Sequence, residues 1–327
     1  MMKILYFLFF IQLGFAHFSK MAEYSLSDED HRQEEIVWEV ADTEPFDELI
    51  FSWNAPRTAT RYSFFVSLRQ GNNWSPWLFY GDWGSCGQFL VGEKPEGSLG
   101  ETYRGVARPK TGTCNGFKVQ IVSSGIEKLA EMKTCWACLS NLAAFKPEIT
   151  LQKSLDKVLL EKVVGQSLIT LRHPRYTDMS MTAAALSAVR YLSKREIGSN
   201  DFSEYVVDGD FDSYDHWSLH AAEAFHRLGG AFRVRIERLN DFSALHAYLK
   251  KGCPVLVNIL GTPFGSLPWP PYRTHVLCII GYDPDQRKVH CIDPVFPNDK
   301  STQMAYSIDD FLRVWAKRQN IACVFDR

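Results

Sequence analysis

A chain of 327 residues with 46% apolar and 13% aromatic content is long enough for two domains with sizeable cores. Its formal net charge of −2, with the two signs interspersed, leaves no basic footprint, so nucleic acid is not an expected partner. Eight cysteines are compatible with either redox compartment.

The opening Met1-Met2-Lys3, an apolar run from Ile4 to Phe15, and Gly14-Phe15-Ala16 before His17 form the three parts of a secretory signal peptide over residues 1–16. The run is too short to span a bilayer comfortably. No later stretch is apolar enough for a membrane helix, so no integral membrane segment is expected after signal removal. Export would place the chain in the medium, the periplasm or the cell envelope, whereas a true start at Met21 would leave it cytoplasmic. An exported chain can form disulfides, and Cys86 with Cys114, each in a loop rich in Gly, Ser and Thr, is the expected bridge. Residues 17–35 read as a charged linker, most polar over Ser25 to Glu35.

Residues 36–150 show short alternating or aromatic runs at Ile36–Val40, Leu49–Trp53 and Tyr62–Leu68. Turn clusters at Ala55-Pro56-Arg57, Gln70-Gly71-Asn72-Asn73 and Pro109–Thr113 separate the runs, a pattern that predicts an all-β sandwich. Trp53, Trp74, Trp77 and Trp83 in this region are either core or an aromatic platform for a sugar or peptide. Cys135 and Cys138 form a C-x-x-C with no second pair at zinc spacing, and on a strand they point to opposite faces. Gly84-Ser85-Cys86-Gly87 lacks the lysine of a phosphate loop.

Residues 151–327 change character. Leu155 to Val164 reads as helix or linker, and helices are predicted over Asp178 to Leu192, His216 to Arg227, Phe242 to Lys250 and Asp309 to Arg318. Strands are predicted from Pro254 to Ile259, in a hairpin on either side of Asp283-Pro284-Asp285, and from Ala322 to Phe325. Helices first and antiparallel strands afterwards make an α+β domain. His216 and His220 stand four apart on their helix with Glu223 three further on, but Trp217 occupies the place of the glutamate in a zinc-peptidase signature. Helix packing with Asp215 as cap is the expectation, and no metal or other cofactor is implied.

The hairpin carries the most specific chemistry. A register centred on Pro284 sets His275 opposite Asp293, with Cβ atoms about 4.5–5.5 Å apart, a distance suited to a carboxylate orienting an imidazole. Leu277, Ile279, Val289 and Cys291 would share that face, and a slip of one residue would send Asp293 to the other. Cys278 and Cys291 then fall on opposite faces as core residues. Pro294 favours an extended Asp293 at a strand end opening into a cleft. An ordinary buried hairpin with one polar pair near its rim is the plain alternative.

Several segments, in order, resemble secreted bacterial proteins of the peptidase C39-like group, papain-like relatives of the bacteriocin-leader peptidases. They are Asp178-Met179-Ser180-Met181-Thr182-Ala183, His216-Trp217-Ser218-Leu219-His220-Ala221-Ala222, Gly252-Cys253-Pro254-Val255, Thr274-His275-Val276-Leu277 and Ile292-Asp293-Pro294. Phe46 to Ala55 and Trp74-Ser75-Pro76-Trp77 are similar to the β-rich region that often precedes that domain. The resemblance implies a papain-like (cysteine-peptidase-like) fold for residues 151–327, with a nucleophile at a helix start facing a histidine on the sheet. It makes His275 the base and Asp293 its orienting carboxylate. Met179 stands where the cysteine should be, on a helix that Asp178 can cap and that Ala183-Ala184-Ala185 lets pack closely. A thioether cannot act as an acyl-transfer nucleophile. The glutamine expected to stabilise the oxyanion is also absent, with Arg175 the nearest positional match. The expectation is therefore a catalytically degenerate homologue that binds a peptide or cell-envelope ligand. The alternatives are a hydrolase using Ser180, one residue along the helix, and a carbohydrate- or protein-binding module built on the N-terminal domain.

Overall fold

A computed structural model describes residues 18–84, 98–125, 128–209, 211–261 and 274–327. The signal-peptide reading and Cys86 lie outside the described residues. The N-terminal half contains β1 (Ser19–Ser25), β2 (Glu35–Phe46), β3 (Glu48–Asn54), β4 (Arg61–Gln70), β5 (Asn73–Trp74), β6 (Leu78–Trp83), β7 (Gly100–Tyr103), β8 (Val106–Pro109), β9 (Cys114–Ser124) and β10 (Thr134–Ser140). They form two five-stranded antiparallel sheets, ordered β1-β10-β3-β8-β7 and β2-β9-β4-β5, with β6 also on β4. Alternation drives the pairing: in β9, Phe117, Val119 and Ile121 turn inward while Lys118 and Gln120 remain at the surface. The sheets meet face to face where Phe51 and Trp53 of β3 pack on Phe64 of β4, with ring centroids 5.4 and 4.1 Å apart.

Residues 17–35, expected to be a linker, instead hold β1 and a short helical turn at Asp30–Arg32. The charges there satisfy one another locally. The Asp30 carboxylate accepts from the Ser27 amide at 2.8 Å and the Tyr24 hydroxyl at 3.0 Å, while the Tyr24 ring stacks on Trp38. Trp53 and Trp83 are buried core and Trp77 is exposed, so the four tryptophans do not share a platform. Cys114 opens β9 as a buried free thiol rather than lying in a loop.

The C-terminal half contains β11 (Val158–Leu159), α1 (Ser180–Ser193), α2 (Ser199–Ser203), α3 (Trp217–Arg227), β12 (Arg233–Arg238), α4 (Phe242–Lys250), β13 (Val255–Leu260), β14 (Thr274–Asp283), β15 (Lys288–Ile292), β16 (Gln303–Ser307), α5 (Ile308–Ala316) and β17 (Ile321–Asp326). Its seven-stranded antiparallel sheet runs β12-β17-β13-β14-β15-β16, with β11 on β14. Leu155 to Val164 is extended rather than helical. Gly281 permits this close pairing, because a Cβ there would stand 2.6 Å from the Val158 carbonyl oxygen. The molecule is thus strongly β-rich, with three antiparallel sheets and few helices among the described residues.

The two halves join along β3 and β12. Leu49, Phe51 and Trp53 point into the N-terminal core, and the alternate residues Glu48, Ser52 and Asn54 face the open edge of β12. Asn54 acts as a surrogate strand: its Oδ1 accepts from Val234 N at 2.9 Å and its Nδ2 donates to Val234 O at 2.7 Å. Ser52 Oγ accepts from Ile236 N at 3.4 Å. Glu48 receives both Nε and Nη2 of Arg238, with both side chains buried. Helix α3 closes the seam, with Ser218 Oγ donating to the Phe51 carbonyl at 2.5 Å.

Candidate active site

The predicted register of the hairpin is displaced by two residues. Cys278 pairs with Ile292 and Ile279 with Cys291, so His275 lies diagonal to Asp293 rather than opposite it. The displacement has two sources. The loop holds four residues, stabilised by the Asp283 carboxylate accepting from the amides of Asp285 and Gln286. A bulge between Ile279 and Gly281 then adds one residue to β14. Because the displacement beyond the bulge is even, His275, Leu277, Ile279 and Cys291 keep a common face.

His275 Nε2 stands 3.6 Å from Asp293 Oδ1, both side chains being buried. That is too long for a hydrogen bond, and Nε2 has no hydrogen-bond partner among the described residues. Asp293 is held from elsewhere. Its Oδ2 accepts from the Tyr306 hydroxyl at 2.9 Å, its Oδ1 from Val295 N at 3.2 Å, and its own amide donates to Thr302 O at 2.8 Å. Burial and the adjacent Asp293 charge push the Tyr306 phenol far up, so it stays a proton donor to the carboxylate. Nothing in the sequence around Tyr306 marked it for this role. Its position on β16, antiparallel to β15, brings it to Asp293.

Helix α1 begins at Ser180, two residues later than the predicted start. Met179 is its N-cap and is fully buried, with no side-chain cap. Asp178 does not cap the helix; it ends the preceding turn Tyr176–Asp178. Ser180 Oγ accepts from the Val276 amide at 3.2 Å, beyond the end of β15 and one residue from His275. The hydroxyl thus ties the helix start to β14 instead of capping the helix's own first turn. Thr182, one turn into the helix, bonds His220 Nε2 at 3.1 Å.

Arg175 does not offer its guanidinium freely to an oxyanion. It donates to the Asp212 carboxylate at 2.5 Å and to the Asp212 carbonyl at 2.6 Å, and lies over the Tyr214 ring. A cavity of ≈ 340 Å³ opens beside it, bordered by Ser180 and Thr274 as well as by Arg104, which reaches across from the turn between β7 and β8. Arg104 pairs with Asp215 at 3.0 Å, and this contact replaces the predicted Asp215 cap of α3, whose N-cap is His216 without a side-chain bond. Burial raises the Asp215 carboxyl above its ordinary value.

His216, His220 and Glu223 are packing residues at the seam. His220 Nδ1 donates to the His216 carbonyl at 3.0 Å, which leaves Nε2 to accept from Thr182. Burial lowers its pKa to about 4. Glu223 is enclosed with Arg227 at 2.6 Å and Arg57 of the N-terminal half at 3.5 Å, yet burial still lifts its carboxyl to about 7. Among the described residues, no group of three or more His, Cys, Asp or Glu is placed to hold a metal. No helix among them is long and apolar enough to cross a membrane. Cys135, Cys138, Cys278 and Cys291 are buried thiols, and burial raises all four.

Residues 181–323 match the model of the Peptidase_C39 like family, a segment that starts two residues after Met179 and contains both His275 and Asp293. No curated protein matches the chain. The C-terminal half therefore carries a peptidase C39-like domain.

Proposed function

From that C39-like domain, we propose a papain-like binding protein, descended from cysteine peptidases, that has lost peptide-bond hydrolysis. The observation that carries this reading is Met179. It is the N-cap of the helix whose first residue, Ser180, bonds β14 beside His275, and its thioether has no proton to give and cannot be acylated and released. The retained His275/Asp293 pair, its carboxylate fixed by Tyr306, then serves as a structural or ligand-binding remnant. Arg175, engaged by Asp212, supplies no free oxyanion donor. The ligand is an extended peptide or a cell-envelope fragment, reached by a chain exported through residues 1–16.

Ser180 favours a second reading, a serine-dependent hydrolase, because it borders the same cavity. Its oxygen already accepts from Val276 N, which draws electron density away from attack. Peptide hydrolysis that disappears in both His275→Ala and Ser180→Ala would establish that second reading and end the first. The first predicts no hydrolysis by the native chain. It also predicts that Met179→Cys creates a thiol alkylated well above the rate of a free cysteine at neutral pH, since a helix start beside an imidazole favours thiolate. An ordinary alkylation rate would show that Met179 does not occupy the nucleophile position. Mass analysis of the product exported from a bacterial host tests the leader, with cleavage after Ala16 expected.

A further inference from the structure

The cavity at the start of α1 belongs to both halves of the chain. The β7–β8 hairpin turns through Arg104 and Gly105, both with positive φ (49° and 75°). A Cβ on Gly105 would stand 2.7 Å from the His216 ring, so glycine lets the hairpin tip reach the C-terminal half. That approach sets Arg104 into the cavity wall, which Arg175, Asp178, Asp212 and Asp215 also line. The described lining contains no aliphatic side chain. Ser213, only 6% exposed, also lines it, and its hydroxyl has no hydrogen-bond partner among the described residues. Arg104 spends one donor on Asp215, and its Nε is buried and unpartnered among those residues. Asp178 is 3.9 Å from Arg175 and its side chain is 52% exposed.

An apolar peptide would strip water from these charges and return no compensating bonds. A neutral sugar would bond the hydroxyls but leave the alternating charges unmatched. We propose that the cavity is a two-domain site for a hydrophilic peptide segment bearing both acidic and basic side chains. Arg104 meets its carboxylate through the Nε that no described residue takes, Asp178 meets its cation, and Ser213 is left to bond the peptide backbone. The proposal rests on the peptide-binding reading above and makes the N-terminal half part of the recognition surface.

Calorimetric titration of the full chain tests it with two blocked hexapeptides, one alternating Lys and Glu, the other alternating Leu and Ala. The charged peptide is expected to bind and the apolar one not, with affinity falling between about 50 and 200 mM salt. Arg104→Ala, distant in sequence from the C39-like segment, is expected to weaken binding about ten-fold or more, and Asp178→Asn to act in the same direction. Equal binding of the apolar peptide, an unchanged affinity in both variants, or binding of chitohexaose in place of either peptide would overturn the proposal. A fast-alkylating Met179→Cys thiol without charged-peptide binding removes this inference alone. A slow thiol with charged-peptide binding removes the assignment of Met179 alone.

Discussion

Two regions of this molecule bury polar side chains, and they treat them differently. Along the seam between the halves each polar group of β3 meets a partner: Asn54 with the Val234 backbone, Ser52 with Ile236, and Glu48 with Arg238. His220 likewise has both ring nitrogens bonded. At the end of β14, His275 is almost as buried, yet its Nε2 has no bond and lies 3.6 Å from a carboxylate that other groups hold. Burial alone therefore does not distinguish these histidines; the hydrogen bonds of their ring nitrogens do, and His216, whose Nδ1 is buried without a bond among the described residues, sits with His275 rather than with His220.

The sharpest way to break this contrast is to cut the seam. Arg238→Ala leaves Glu48 buried without its cation and should cost about 3–5 kcal/mol in urea unfolding. Replacing both residues with leucine should recover much of that loss. A single variant as stable as the parent would mean that the seam is not held by its paired polar groups.

A smaller effect compares the two histidines directly. His220→Leu keeps side-chain bulk but strands the Thr182 hydroxyl and the His216 carbonyl, a loss of about 2 kcal/mol. His275→Leu removes a ring nitrogen that has no bond to lose and should stay within about 1 kcal/mol of the parent. Equal losses would mean that the two histidines are held alike.

The smallest effect is a slope. Glu223, lifted to about 7 by burial against its ordinary 4.5, holds its proton more tightly in the folded chain. Its contribution is complete below pH 4.5 and is lost as pH rises through about 7. His220 and His226, lowered to about 4 by burial, act oppositely: stability rises as pH climbs from about 4 to their ordinary 6.5. The Arg57 and Arg227 guanidiniums face this cluster without titrating in that range. Glu223→Gln removes the opposing contribution, so urea midpoints should climb more steeply between pH 4.5 and 6.5 than in the parent. An unchanged slope would show that Glu223 is ionised throughout.

Much of this arrangement was legible in the sequence where one period dominates. The runs at Ile36, Leu49 and Tyr62 became β2, β3 and β4, and the predicted helices at residues 178, 216, 242 and 309 formed within two residues of their expected starts. What failed depended on the third dimension. The hairpin register missed the bulge because Gly281 answers to the approach of Val158, more than a hundred residues earlier in the chain. Strand β12 escaped notice because Arg233-Val234-Arg235-Ile236-Glu237-Arg238 reads as a charged surface, although Val234 and Ile236 are fully buried and Arg238 is paired from the other half. The cap assigned to Asp215 was lost to Arg104, a residue whose sequence context gives no sign of its reach.

Asn54 also carries a consequence in time. Translation delivers it 180 residues before Val234. At ordinary rates of synthesis that interval is on the order of ten to forty seconds, long enough for a domain that emerges first to fold. Where the N-terminal half folds before residue 234 is made, β12 meets an acceptor already in place, and Asn54 covers an edge that neighbouring chains could otherwise pair with.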